Sequence, residues 1–269
     1  RWNDDPRYVK QFEHELETFK DNGKTDLLPY LFPIADVLDF YKENNELAGP
    51  GRGSAGASLI CYYMGITQLD PIFYSLPFSR FLSIKRINKS DWPDVDVDVN
   101  SRDLLVGKDS NSGYMYKRWG NKACQISTRT QMRLKSAIKD VNRFKFGEVQ
   151  EEIEKFSVSL EAPPQGMNDR DFVFGYERDE VHVPGFLEKS EELQKYAVDR
   201  PDEWEIVSRC MGIARGSSRH ASAFIIADKD LTQFLPLMDI GGVKRVSQPE
   251  AKQIEFMNLI KYDFLNIRI

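Results

Sequence analysis

A chain of 269 residues with 41% hydrophobic and 29% charged residues can bury one large core or two modest ones. It has no apolar run near the ~20 residues that span a bilayer and no signal-peptide pattern, so no membrane partner is expected and the cytoplasm is the expected compartment. A net charge of −5 excludes a generic nucleic-acid coat protein but leaves room for a local basic surface. Cys61, Cys124 and Cys210 lie far apart without paired spacing, which excludes a disulfide framework or zinc site and predicts buried thiols.

Residues 6–46 read as helical, through Phe12, Leu16 and Phe19 and, after an Asn22-Gly23 break, through Leu27, Leu31, Ile34, Val37 and Tyr41. These are packing helices without chemistry, and His14 among them should face solvent. Next comes a glycine-rich run, Gly49-Pro50-Gly51-Arg52-Gly53-Ser54-Ala55-Gly56-Ala57-Ser58, ahead of apolar Leu59 to Met64. A turn of this kind opening a helix offers free backbone N–H groups and the positive dipole end to an anion, and Arg52 adds a fixed charge suited to phosphate. Ser54 reads as the helix N-cap, a role compatible with holding phosphate. Gly51, Gly53 and Gly56 also fit a dinucleotide fingerprint, with Asp70 near the distance of its ribose acid. Lys42 to Leu47 is too polar for the central strand which that reading needs, and Asp70 precedes a proline. Arg80, Lys85 and Arg86 follow as a basic cluster able to ligate a triphosphate.

Pro93-Asp94-Val95-Asp96-Val97-Asp98-Val99 places a carboxylate at every second residue. On a strand Asp94, Asp96 and Asp98 share one face, with same-face neighbours roughly 7 Å apart, while the valines share the other. Asp is depleted in strands and like charges raise one another's pKa, so such a face is either solvated or a shelf for a hard divalent cation. A loop and domain boundary is expected at 100–113. From Tyr114 to Phe146 the chain is strongly basic, with Arg129, Arg133, Lys135, Lys139 and Arg143 among nine bases against the single acid Asp140. A helical apolar stripe through Met132, Ala137, Ile138, Val141 and Phe144 lies beneath them, and the imbalance favours a nucleic-acid backbone. Residues 148–161 turn acidic, 168–205 are mixed, and His182 between valines reads as a packed residue. Strands are predicted at 221–227 and 259–265, the second setting Lys261 and Asp263 on one face and Ile260, Tyr262 and Phe264 on the other. A buried Asp and Lys need a partner, and the acidic strand supplies one. His220, downstream of Arg215 and Arg219, reads equally as a phosphate contact or a packed residue.

Gly49-Pro-Gly-Arg-Gly-Ser54, the Gly65-to-Pro71 run, Arg80-Phe-Leu with Arg86, Pro93-to-Asp98, His220-Ala and Lys261-to-Leu265 together resemble the bacterial family C replicative polymerase, the polymerase III alpha subunit, in their order along the chain. The resemblance implies an α+β fold, a polymerase-beta-like nucleotidyltransferase palm whose mixed sheet is flanked by helices, carrying an inserted, mainly helical thumb. It implies palm at 1–106 and 211–269 with the thumb at 107–210, and Asp94, Asp96 and Asp263 as catalytic ligands of two Mg²⁺ ions. Asp98 would be a supporting carboxylate. Arg52, Gly53, Ser54, Arg80, Arg86 and Lys261 would bind the dNTP, and Arg129, Arg133, Lys135, Lys139 and Arg143 the primer-template DNA. Two-metal nucleotidyl transfer is the implied chemistry.

Val99, the long link from Ile87 to Trp92, Arg129-Thr130 and Asn266-Ile267 depart from the family pattern without removing a carboxylate, as in a divergent, phage-encoded branch. The family's phosphoesterase domain, fingers and clamp-binding parts find no room in this length. Both ends look cut, so fingers and other parts are expected in a longer chain or a partner chain, with the sliding clamp and other replisome proteins as further partners in a bacterial or phage-infected cell. Alone, the fragment should extend primers poorly. A non-catalytic polymerase-like module that binds DNA or a replisome protein is the alternative; a dinucleotide-dependent oxidoreductase is a weaker one.

Overall fold

The computed structural model describes residues 5–20, 23, 25–88, 92–109, 111–164, 166–179 and 181–267. Asn22 of the expected break, Ser110 of the expected loop, the centre of the Ile87–Trp92 link and the last two residues lie outside them.

The first apolar pattern forms α1 (Pro6–Lys20) and α2 (Leu28–Glu43), the latter entered through Pro29, whose missing N–H costs nothing in a first turn. The glycine-rich run does not open directly into an α-helix. It forms a 3₁₀ turn, Gly53–Ala57, then short α3 (Leu59–Tyr63), whose N-cap is Ser58 and not Ser54. After α4 (Ile84–Asn88), the acidic run forms β1 (Asp96–Val99), which begins two residues after Asp94. The expected loop at 100–113 contains a short helix, α5 (Asp103–Val106). The basic stretch 114–146 is broken by a strand: α6 (Tyr114–Trp119), β2 (Ala123–Gln131), then α7 (Leu134–Phe146). There follow α8 (Glu151–Ser159), α9 (Asp169–Phe174), β3 (Tyr176–Arg178) and β4 (Val181–Val183). Helices α10 (Phe186–Lys189), α11 (Glu191–Asp199) and α12 (Pro201–Cys210) lead into β5 (Ala214–Ile226), which starts seven residues before the predicted 221–227 strand. The chain ends in β6 (Leu237–Ile240), β7 (Val243–Glu250), α13 (Ala251–Phe256) and β8 (Lys261–Asn266).

Six strands form a mixed sheet in the order β1-β8-β5-β2-β7-β6. β1 runs parallel to β8, with Asp96 opposite Asp263, and β8 runs antiparallel to β5, with Ala223 opposite Asp263. Alternation then assigns the faces. Val97 and Val99 of β1, Phe224 of β5, and Tyr262 and Phe264 of β8 join a core with Phe19, Leu31, Ile34 and Val37 of the first two helices. Ala223 and Ile225 turn the other way, into a second cluster with Cys124, Ile126, Leu235 and Ile254. Helices flank a multi-stranded mixed sheet, as the expected α+β class requires.

The chain divides into two compact units, Arg1–Thr128 with Arg219–Ile269, and Arg129–Ser218. Residues 107–128 therefore sit in the first unit and 211–218 in the second. The second unit, apart from the β3–β4 hairpin and the ends of β2 and β5 that reach into it, is helical, around Leu134, Ala137, Ile138, Val173, Leu193 and Val207. Ala137, Ile138 and Val141 are buried as the stripe predicts, but Phe144 is 92% exposed. Asn142 takes the inward place instead, its Oδ1 accepting the Gln150 N–H at 2.8 Å. His182 is exposed, not packed, and its ring nitrogens lie 3.1 and 3.0 Å from carboxylate oxygens of Glu177 and Glu188. Cys61 and Cys124 are buried as expected, whereas Cys210 is only half-buried. No described helix is long and apolar enough to cross a membrane.

Candidate metal centre

Strand register assembles the site. Because β1 and β8 are parallel neighbours with Asp96 opposite Asp263, two carboxylates from positions far apart in sequence face one another across a single ladder. Asp94, just ahead of β1, completes the set: each of Asp94, Asp96 and Asp263 offers an oxygen within 4.8 Å of the others. The buried valines hold this acidic face outward, with Val95 at 1% and Val97 at 4% exposure. A tyrosine fixes the loop between the first two carboxylates, since the Val95 N–H donates to the buried Tyr30 hydroxyl at 3.1 Å. Tyr30 in turn lies against Tyr262, ring centroids 5.0 Å apart.

Lys261 neutralises part of the cluster. Its Nζ lies 2.5 Å from Asp263 Oδ2 and 3.2 Å from Asp94 Oδ1. Burial opposes its charge, yet the hydrogen bond to Asp263 and the charges of Asp263 and Asp94 carry its pKa up to about 12. Asp263 is 6% exposed and its other oxygen accepts the Ser222 hydroxyl at 2.7 Å. A buried carboxylate with both oxygens engaged is held in one rotamer. Burial, and then the charges of Asp94 and Asp263, raise the pKa of Asp96 above the ordinary carboxylate range. Three hard oxygen donors with surplus negative charge, two of them sharing one ammonium, fit a divalent cation such as Mg²⁺.

Asp98, which shares the strand, is not in the cluster. It pairs with Arg52 at 3.0 Å, and Gly49 N–H donates to the Asp98 carbonyl at 2.8 Å, so the glycine-rich turn is tied to β1. The approach is close: a Cβ on Gly49 would stand 2.9 Å from the Asp98 Cβ. This brings Arg52 to the acidic strand, with Gly53, in the left-handed region at φ +63°, and Ser54 following it. The expected free N–H groups of the α3 N-terminus are already taken. Glu15 of α1, fully buried, accepts from Leu59 N at 2.9 Å, Ile60 N at 3.0 Å and the Ser58 hydroxyl at 2.7 Å. Any phosphate at this turn must therefore meet Arg52, Gly53 and Ser54 and not the helix end.

Arg86 lines a cavity of about 250 Å³ together with Trp92, Asp94 and Lys261. Its guanidinium also donates to the Phe81 carbonyl at 2.6 Å, while the Arg80 side chain is exposed. His220 Nδ1 accepts the Ala223 N–H at 3.1 Å, which spends that nitrogen on the backbone. Asp70 accepts the Tyr8 hydroxyl at 2.6 Å and the N–H groups of Ile72 and Phe73, a turn role that removes the ribose acid of the dinucleotide reading.

In the second unit, part of the basic imbalance closes on itself. Lys139 pairs with Glu154 at 2.5 Å, Arg143 with Asp140 at 2.9 Å and Arg133 with Asp169 at 3.9 Å. Lys135 is half-buried and Arg129 exposed, the latter with further contacts of its own. The sequence showed only Asp140 as a nearby acid; the others arrive from α8 and α9.

Ser222, Tyr30 and Glu15 escaped the sequence reading. Ser222 left a signal, a polar residue within an apolar run, and Glu15 left one in its place on the apolar stripe of α1 with Phe12 and Phe19; Tyr30 left none, being an ordinary aromatic on a helix.

Residues 2–266 match the family model described as the bacterial DNA polymerase III alpha NTPase domain. The DNA polymerase III subunit alpha of Pseudomonas aeruginosa is 32% identical over 263 residues, which are 97% of this chain and 20% of that protein. Those of Deinococcus radiodurans and Escherichia coli K12 are each 31% identical over 264 residues, covering 97% and 98% of this chain but 18% and 21% of theirs. The chain thus spans about a fifth of the length of these curated relatives. With the match running through both units and all three carboxylates, the chain belongs to the bacterial DNA polymerase III alpha family.

Proposed function

We propose that this chain is part of the catalytic core of a DNA-directed DNA polymerase, joining a dNTP to a primer 3′-hydroxyl with release of pyrophosphate. The observation that carries the reading is the convergence of Asp94, just ahead of β1, with Asp96 of β1 and Asp263 of β8 to within 4.8 Å in a chain of this family. Asp94, Asp96 and Asp263 would hold two Mg²⁺ ions, which supply activation of the hydroxyl and stabilisation of the leaving oxygen. Ser222 and Lys261 orient Asp263, and Lys261, already in the cluster, is placed to move its charge toward a triphosphate. Arg52, Gly53 and Ser54, supported by Arg80 and Arg86, would bind that triphosphate; the ion pair to Asp98 holds Arg52 beside the carboxylates. In this reading the palm is formed by 1–106 and 211–269 and the thumb by 107–210, most of which coincides with the compact helical unit Arg129–Ser218. Arg129, Arg133, Lys135, Lys139 and Arg143 would meet the backbone of primer-template DNA. Fingers, sliding clamp and other replisome proteins would be the partners, in the cytoplasm of a bacterial or phage-infected cell.

The test is primer extension with Mg²⁺ by the complete polymerase carrying Asp96→Asn or Asp263→Asn. Each variant is expected to lose extension by about 10³-fold or more while binding DNA as the parent does. Normal extension by both would overturn the metal assignment. Equal DNA binding with no extension by parent or variants would favour the non-catalytic module, which has no use for a costly acid cluster.

A further inference from the structure

On the side of β8 that Tyr262 faces, the first unit holds a cleft of about 860 Å³, within the volume range of small-molecule sites. None of the three clustered carboxylates lines it, and polymerisation chemistry as read above leaves it unused. Its walls present the rings of Tyr30, Trp92, Trp119 and Tyr262. Asp26 and Asp228 stand among them, and Asp228 is exposed. Among the described lining residues Arg118 is the only base, and it is committed to Asp36, with Nε 3.2 Å from Oδ2. Aromatic faces attract cations through their quadrupoles, and the carboxylates of Asp26 and Asp228, which make no ion pair among the described residues although Asp26 Oδ1 accepts the Leu28 N–H at 2.9 Å, add to that attraction. The same carboxylates repel a triphosphate, which separates this cleft from any nucleotide site.

The cleft is also connected to the acidic cluster. It shares Trp92, Leu259 and Ile260 with the 250 Å³ cavity lined by Asp94 and Lys261. Tyr30 reaches from its wall to the Val95 N–H, between Asp94 and Asp96, and Tyr262 lies between Lys261 and Asp263 in sequence. A ligand against these two rings therefore bears on the backbone that sets all three carboxylates.

We propose that this aromatic, acid-rimmed cleft binds an aromatic organic cation, and that its occupancy alters the metal affinity of the cluster behind it. The binding half stands on the cleft alone; the coupling half rests on the metal-site reading above.

In the full chain, calorimetric titration with 2-naphthylmethylammonium is compared with 2-naphthoate, which has the same ring system and the opposite charge. The cation is expected to bind about tenfold tighter or better, and Asp26→Asn with Asp228→Asn to remove most of that preference. No binding of the cation at millimolar concentration, equal binding of both probes, or an unchanged preference in the double variant would overturn the site. Coupling is read as Mn²⁺ affinity by electron paramagnetic resonance. Saturating cation should change it by about threefold or more, and Tyr30→Phe, which keeps the ring but not the hydroxyl, should abolish the change while the probe still binds. Probe binding with unchanged Mn²⁺ affinity overturns the coupling. Absence of any Mn²⁺ binding, with or without the probe, overturns the metal reading and the coupling with it, and leaves the binding result standing.

Discussion

Glu15 shows what one buried carboxylate does for a neighbouring turn. It lies on the apolar stripe of α1, fully buried, where an unpaired charge would cost several kcal/mol. Gln11 Nε2, the Ser58 hydroxyl and the N–H groups of Leu59 and Ile60 all donate to it. Burial nevertheless raises its pKa, the hydrogen bonds only partly offsetting the loss of water. Glu15→Gln replaces one acceptor oxygen by a donor amide facing other donors. It should destabilise the protein by about 1–3 kcal/mol in denaturant unfolding, and a change under a few tenths would show that these bonds contribute little. At Asp263 the roles are reversed: Ser222, a small polar group, fixes the carboxylate. Ser222 and Glu15 both escaped the sequence reading because a residue's partner is set by packing, not by its neighbours in the chain.

At the scale of elements, the contact between the glycine-rich turn and β1 sets the site's outline. Gly49→Ala would push a Cβ to 2.9 Å from the Asp98 Cβ, so the turn or the strand must shift. The expected cost is about 1–3 kcal/mol, read as a lowered Tm, together with a raised KM for dNTP in the complete polymerase. An unchanged Tm and KM would show that the turn moves freely. The β3–β4 hairpin offers a pH test. Hydrogen bonds donated by its ring to Glu188 and Glu177 hold the His182 pKa above its ordinary value. A raised folded-state pKa means that the native chain retains a proton the unfolded chain releases. Its stabilisation is complete below the ordinary histidine range near pH 6.5 and is lost as pH rises through the folded value. His182→Gln should therefore lower Tm near pH ~5 and leave it unchanged near pH ~9. A loss of the same size at both would indicate packing and not charge.

For the whole molecule, chain connectivity separates a sheet-bearing unit from a mostly helical insertion, and the insertion carries Arg129, Arg133, Lys135, Lys139 and Arg143. Replacing Arg129, Arg133 and Lys135 by Ala in the complete polymerase should weaken DNA binding across all sequences. Each lost phosphate contact should reduce the salt slope of log K by about 1. Lys139→Ala should do less, because Glu154 already holds Lys139 at 2.5 Å. An unaltered slope in the triple variant would place the DNA elsewhere. The sequence by itself determined the alternation of Asp and Val in β1, the Lys261-Asp263 face of β8, the apolar stripes of α1, α2 and α7, and the glycine-rich turn. Those are local consequences of period and composition. Only the tertiary structure decided that Asp98 pairs with Arg52, that Glu15 occupies the helix end that looked free, and that Lys139 meets Glu154 and Arg133 meets Asp169. The physical reason is the same in each case: a charge takes the nearest opposite charge or donor in space, and strand register and helix packing, not spacing in the chain, choose which group that is.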